Sequence, residues 1–232
     1  MEDDRSRAEE AVATETAKLE ATETAKLEAT ETARLEAFSD GVFAVAITLL
    51  ALDLRAPVQK DVLNAHGLAG ALAGEWPQYL AYALSFLSIL IMWVNHHHLF
   101  IVIRRTDHFF LLLNGFLLMV ITAIPFATNV LSVYLVGSEK QTAQVMFSGV
   151  YLLMAITFNA MWRYASAGKR LLGDRIDVRK VQDITRQFRF GPILYLAAFG
   201  LAFASAVASL ALCVLLAVFY ALPSSITRAM HD

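Results

Sequence analysis

Polarity along this chain changes abruptly at Arg34. The first 33 residues are charged and rich in Ala and Thr; beyond them, long apolar runs alternate with short charged turns. The first run, Arg34 to Leu54, reads RLEAFSDGVFAVAITLLALDL. As an α-helix, Leu35 to Leu54 would span about 30 Å, the thickness of a bilayer's hydrocarbon core. A second run goes from Trp76 to about Val102, a third from about Phe109 to Leu131, and a fourth from the Gly137–Gln141 turn to about Tyr164. Between Phe190 and Leu222 there is no charge at all. That stretch is too long for one spanning helix and long enough for two tightly turned ones, with the break placed near Ser205 to Ser209. The pattern predicts an all-α polytopic membrane protein with six spanning helices. It divides into an extension at 1–33, a six-helix domain at 34–224 and a C-terminal tail at 225–232.

Charge in the connecting segments orients these spans. Arg104, Arg105 and Asp107 form a tight turn, and eight Lys or Arg lie between Arg163 and Arg189, read here as a loop near anionic lipid. With Lys18, Lys26 and Arg34, these basic segments fall on one side of a six-span topology. The opposite loops hold only Arg55, Lys60 and Lys140. By the positive-inside rule the basic side is cytoplasmic, and both termini with it.

Composition agrees with a membrane protein and narrows the chemistry. Hydrophobic residues make up 57% of the chain and charged ones only 17%, a profile unlike that of a soluble core. A net charge of −2 gives no bulk attraction for nucleic acid. The single cysteine, Cys213, excludes an intrachain disulfide and a cysteine metal site. No cleavable signal peptide is expected, because the opening residues lack an apolar core. There is no Gly-rich phosphate loop, no nucleophile elbow and no carboxylate pair at catalytic spacing, so neither an enzyme nor a cofactor is expected.

Residues 13–36 are three near-identical octapeptides, ATETAKLE, ATETAKLE and ATETARLE. Their composition favours helix, and each Glu precedes a Lys or Arg by three residues. Eight residues advance an ideal helix by about 800°, so Leu19, Leu27 and Leu35 rotate by about 80° per repeat and make no continuous seam. The expectation is a solvated helical extension leading into the first span, partly frayed at its start.

Polar residues inside the apolar runs are the candidates for chemistry. In the first run Val45, Leu49 and Leu52 follow i, i+4, i+7 as a narrow apolar stripe, with Thr48 on its flank. Periodicity alone also allows ordinary helix packing for this stripe. Ser39 and Asp40 project away from it, and a carboxylate inside a spanning helix needs a partner. Asn114 in the third run needs one as well. His96, His97 and His98 diverge by about 100° per residue and do not converge on one ion, so no metal site is expected. Asp53 closes the first helix, either as a solvated end or as a cation-attracting mouth.

Three ordered motifs carry a resemblance. Arg34-x-x-x-Phe38-Ser39-Asp40 before an apolar helix, Trp93-x-x-His96-x-x-Leu99-Phe100, and Thr106-Asp107 with Asn114 and Pro125-Phe126 together resemble the transmembrane protein 175 family of endolysosomal and prokaryotic potassium channels. The resemblance covers roughly residues 34–130. It implies a structural network of Arg34, Phe38, Ser39, Asp40, Trp93, His96 and Asn114 that locks the first helix. Separate satisfaction of each polar group remains the alternative. It also implies that Val45, Thr48, Leu49 and Leu52 line a pore, with a hydrophobic constriction in place of a TVGYG filter.

A single six-helix chain of this kind is expected to form a homotetramer in a prokaryotic plasma membrane, passing monovalent cations, potassium above all. Val45 is smaller than the Ile or Leu often found in that layer of the family, which leaves the tightness of the constriction open. Two other functions stay in view. One is a proton-coupled cation transporter or proton leak that titrates Asp40 and His96. The other is a non-conducting membrane scaffold built on the octapeptides.

Overall fold

The chain's computed structural model describes residues 2–173 and 178–221, and these are helical apart from short connections. Four helices are long and apolar enough to cross a membrane. Helix α1 (Glu2–Leu52) runs unbroken from the extension into the first apolar run, where the sequence suggested a frayed start. Two short helices, α2 (Gln59–Asn64) and α3 (Leu68–Gly74), fill what the sequence presents as a loop. Gly67 sits between them with φ at 131°, a conformation that favours glycine. Then come α4 (Trp76–Val102), α5 (His108–Tyr134) and α6 (Lys140–Ser166). Each lies within a few residues of the predicted run, and α5 continues through the buried Pro125.

After α6 the chain breaks at Ala167–Lys169, where Gly168 takes φ 59°. Helix α7 (Val178–Ala202) and helix α8 (Ala206–Ala221) follow. Two predicted boundaries move. The basic segment is not a loop throughout, since Arg179 to Arg189 belong to α7. Val181, Ile184 and Phe188 recur at helical spacing and pack on the core, which overrides the charge between them. The break in the uncharged stretch is Phe203–Ser205 and does not reach Ser209. Ser205 Oγ accepts from the Ala208 N–H at 3.3 Å and so starts α8, leaving Ser209 inside that helix. The tail assigned to 225–232 lies outside the described residues.

Helices α4, α5 and α6 form the centre. One flank is α1, packed on α4 and α5; the other is α7 and α8, packed on α6, with α8 also touching α4. Side-chain hydroxyls cross-link this centre. Ser85 and Thr128 are 2.6 Å apart, and the Tyr151 hydroxyl donates to Ser85 at 3.1 Å. On the other flank Gln144 donates to Ser209 at 2.9 Å, and Ser209 donates to the Ala198 carbonyl at 2.7 Å.

Connections fix the two ends of the bundle. At one end the side-chain amide of Gln141 donates to the Phe203 carbonyl, and the backbone N–H of Arg55 donates to Gln78. At the other, the N–H groups of Arg104 and Arg105 donate to the Leu171 carbonyl at 2.9 and 3.2 Å. The second and third octapeptides reach this same end. Glu28 pairs with Arg105 at 3.1 Å, and the Thr32 hydroxyl lies 3.3 Å from the Arg104 carbonyl.

Candidate functional site

Helix α1 has two distinct faces after Arg34. Ser39, Phe43, Ala46 and Leu50 recur at i, i+4, i+7, i+11 and are buried against α4 and α5. Val45, Thr48, Leu49 and Leu52 turn the other way and are not covered by their own chain. Val45 is 54% exposed, Leu49 40% and Leu52 77%. Thr48 satisfies its hydroxyl locally on the Val45 carbonyl at 2.9 Å. Among the described residues the stripe is therefore an apolar surface left largely uncovered.

Polar residues on the buried side join three helices. Asn114 of α5 donates through Nδ2 to Ser39 Oγ at 3.0 Å, and Ser39 donates in turn to the Leu35 carbonyl at 2.8 Å. That orientation points Asn114 Oδ1 at His96 Nε2 of α4, 2.9 Å away, so His96 carries its proton on Nε2. All three side chains are sealed from solvent, and Phe43 and Phe100 flank the imidazole at ring distances of 5.3 and 4.6 Å. His96 Nδ1 is then a bare buried acceptor without a partner among the described residues. Alongside, Trp93 Nε1 donates to Asp40 Oδ1 at 2.8 Å. The structure thus brings together five of the seven residues named from the motifs. Arg34 and Phe38 do not join them; both are exposed.

The three histidines part company. His96 faces Asn114, while His97 Nδ1 lies 2.8 Å from Glu36 of α1. Among the described residues no group of three His, Cys, Asp or Glu gathers as a metal site would require.

Several partners were not foreseen. Asp53 accepts from Asn129 Nδ2 of α5 at 3.0 Å, anchoring the far end of α1. Asn129, polar within the third apolar run, carried the same signal as Asn114. Asp107 collects three contacts at the α4–α5 turn. It caps α5 through the Phe110 N–H at 2.9 Å, accepts from the Tyr164 hydroxyl at 2.7 Å and meets Arg170 at 3.3 Å. Arg170 also lies over the Tyr164 ring at 4.9 Å. Desolvation pushes the Asp107 carboxyl up, yet the Tyr164 hydroxyl, the Phe110 N–H and Arg170 together hold it below the usual carboxylate range.

Comparison with known proteins decides the family. A potassium channel of Chamaesiphon minutus is 48% identical over 189 residues, which are 82% of this chain and 93% of that one. The chain belongs to the TMEM175 family. The family profile, described as endosomal/lysosomal potassium channel TMEM175, matches residues 34–125. A potassium channel of Streptomyces collinus is 41% identical, covering 79% of this chain and 88% of its own. The human endosomal/lysosomal proton channel TMEM175 is 34% identical over 135 residues, 56% of this chain and 27% of that protein. The crystal structure of the Chamaesiphon minutus homologue, titled a lysosomal potassium-selective channel TMEM175 homologue, superposes with a TM-score of 0.76 at 46% identity. It covers 83% of this chain and 97% of that one. These TMEM175 proteins are ion channels and not enzymes.

Proposed function

We propose that this TMEM175 chain is a potassium-permeable cation channel whose pore is lined by α1 of each subunit. The observation that carries the reading is the uncovered stripe of Val45, Thr48, Leu49 and Leu52, turned away from the network that fixes the same helix. One chain offers one stripe, so a closed path needs several copies, and a homotetramer around a cyclic axis fits. Six crossings per chain, with α7 and α8 completing the four long helices, put both termini on the cytoplasmic side of a prokaryotic plasma membrane.

Aliphatic side chains from four subunits form a constriction that excludes water when narrow and admits a cation when widened. Thr48 supplies the hydroxyls beside that layer. The buried network sets the rotation of α1. Ser39 and Asp40 each have a partner on a different helix, so turning α1 enough to move Val45 off the axis breaks both contacts.

Several relatives are named proton channels, so proton passage is the second reading. Purified protein in liposomes, assayed for passive potassium flux with and without a proton gradient, separates the cases. Potassium flux without a gradient supports the channel. Flux that demands the gradient indicates a coupled transporter, proton flux alone a proton leak, and no flux a scaffold.

A further inference from the structure

The side of the bundle away from α1 holds a cavity that the ion path does not use. Helices α4, α6, α7 and α8 enclose it, with no wall from α1 or α5. Its volume is about 60 Å³, room for about four water molecules, and it is open on one side. Most of its lining is apolar, including Phe158 and Phe188, but five polar side chains border it: Ser88, which donates to the Leu84 carbonyl at 2.7 Å, and Asn95, Asn159, Tyr195 and Tyr220. Asn159 is fixed by donating through Nδ2 to the Phe188 carbonyl at 2.9 Å, which leaves its Oδ1 as an acceptor. Asn95 and the two tyrosine hydroxyls make no hydrogen bond among the described residues. Polar groups left idle in a spanning bundle call for a ligand that combines hydrocarbon with neutral oxygens.

Charge lies one turn further along. Arg163 follows Asn159 by four residues on the same face of α6, is exposed, and has no ion pair among the described residues. It opens the stretch from 163 to 189, where eight Lys or Arg stand against three Asp. A glycerophospholipid carries the matching chemistry in the matching order: hydrocarbon, ester oxygens, then phosphate.

We propose that the cavity between α4, α6, α7 and α8 seats the ester of an anionic phospholipid against Asn95 and Asn159, with the phosphate at Arg163 and the acyl chains leaving through the open side. This rests on α4 and α6 crossing the bilayer and not on the pore.

The test uses the full chain exchanged into equal phosphatidylglycerol and phosphatidylcholine of matched acyl chains, with retained lipid counted by native mass spectrometry. Wild-type protein should retain phosphatidylglycerol in preference to phosphatidylcholine. Arg163→Gln should lower that preference about fivefold, the factor for roughly 1 kcal/mol per basic residue beside an anionic lipid. Gly191→Leu should abolish retention of both lipids, because a Cβ at Gly191 meets only the Tyr220 hydroxyl, at an ordinary 3.6 Å, and the rest of the side chain fills the cavity. Equal retention of the two lipids by wild-type protein overturns the proposal, as does undiminished retention by a folded Gly191→Leu chain. Should that variant not fold, a photoactivatable phosphatidylglycerol on the unaltered chain decides. Adducts on Asn95, Phe158 or Tyr195 support the site, and adducts confined elsewhere overturn it. Ion flux enters neither readout, so this proposal and the channel reading fail independently.

Discussion

Asn114 and Ser39 are joined across the α1–α5 interface, the amide donating to the hydroxyl at 3.0 Å while both side chains are sealed from solvent. Because Asn114 also accepts from His96, it is the centre of a chain of hydrogen bonds rather than one partner of a pair. Asn114→Leu should therefore leave two buried groups unsatisfied, at about 1–3 kcal/mol each, whereas Ser39→Ala leaves one, the Asn114 amide, at about 1–3 kcal/mol. Thermal unfolding of the two variants and their double mutant in detergent measures this. Coupling between them should be at least about 0.5 kcal/mol. Additive losses would mean that the groups are satisfied separately.

Asp40 and Trp93 allow a sharper contrast. Asp40→Ala leaves the Trp93 indole N–H without its acceptor, while Asp40→Asn keeps a carbonyl oxygen in the same place. The alanine variant should show reduced assembly or lost flux, and the asparagine variant should assemble as wild type does. Normal assembly and flux in Asp40→Ala would remove this contact from the account of how α1 is held.

The stripe makes a prediction of its own. Replacing Leu49 or Val45 with Asn should wet the constriction and raise basal conductance several-fold, or weaken discrimination among cations. The same change at Ala44, also exposed but about 100° from Val45, should do much less. Single-channel recording of the three variants checks this, and equal effects at all three would mean that the stripe is not the pore face.

What the sequence revealed and what it hid follow one physical rule. Polar residues in long apolar runs advertise a need for partners, so Ser39, Asp40, His96 and Asn114 are legible in the sequence, as are the approximate limits of α4, α5 and α6. Partners across helices depend on rotation and register, which hydropathy does not encode. The Asp53–Asn129 contact was hidden for that reason. The start of α7 was hidden for another: dense charge masks a helical spacing of Val181, Ile184 and Phe188 that only the packed core makes decisive. Arg34 and Phe38 show the converse, being conspicuous in the motif yet outside the network.

Asp107 gives a pH dependence with a definite sign. Its carboxyl is held below its ordinary value, so the folded state gains stability above the unfolded carboxylate range near pH 4 and loses it as pH falls through the lower folded value. Asp107→Asn keeps a side chain that caps α5 but gives up the charge facing Tyr164 and Arg170. Melting curves should show the wild type ahead of the variant at pH 5–7, with the gap shrinking as pH falls below the ordinary carboxylate range near pH 4. A gap that widens on acidification would contradict the assignment.

The octapeptides now have a definite, limited contact with the rest of the chain. Leu19 and Leu27 are exposed, and among the described contacts the repeats meet the membrane domain at Glu28, which ends the second, and at Thr32, Leu35 and Glu36 of the third. The Glu28–Arg105 pair is itself largely exposed, and such pairs contribute about 0–1 kcal/mol. Deleting residues 1–28 removes that pair but keeps Thr32, the start of its approach to the Arg104 carbonyl, and the whole of α1 from Arg34 onward. The truncated chain should therefore melt within about 1 kcal/mol of the full chain, assemble with the same stoichiometry and conduct similarly. Thermal melts, light scattering in detergent and liposome flux measure these three properties. If truncation dissolves the oligomer, the extensions must meet one another around the axis, and the exposed leucines that rotate along the helix would have to be an assembly surface after all.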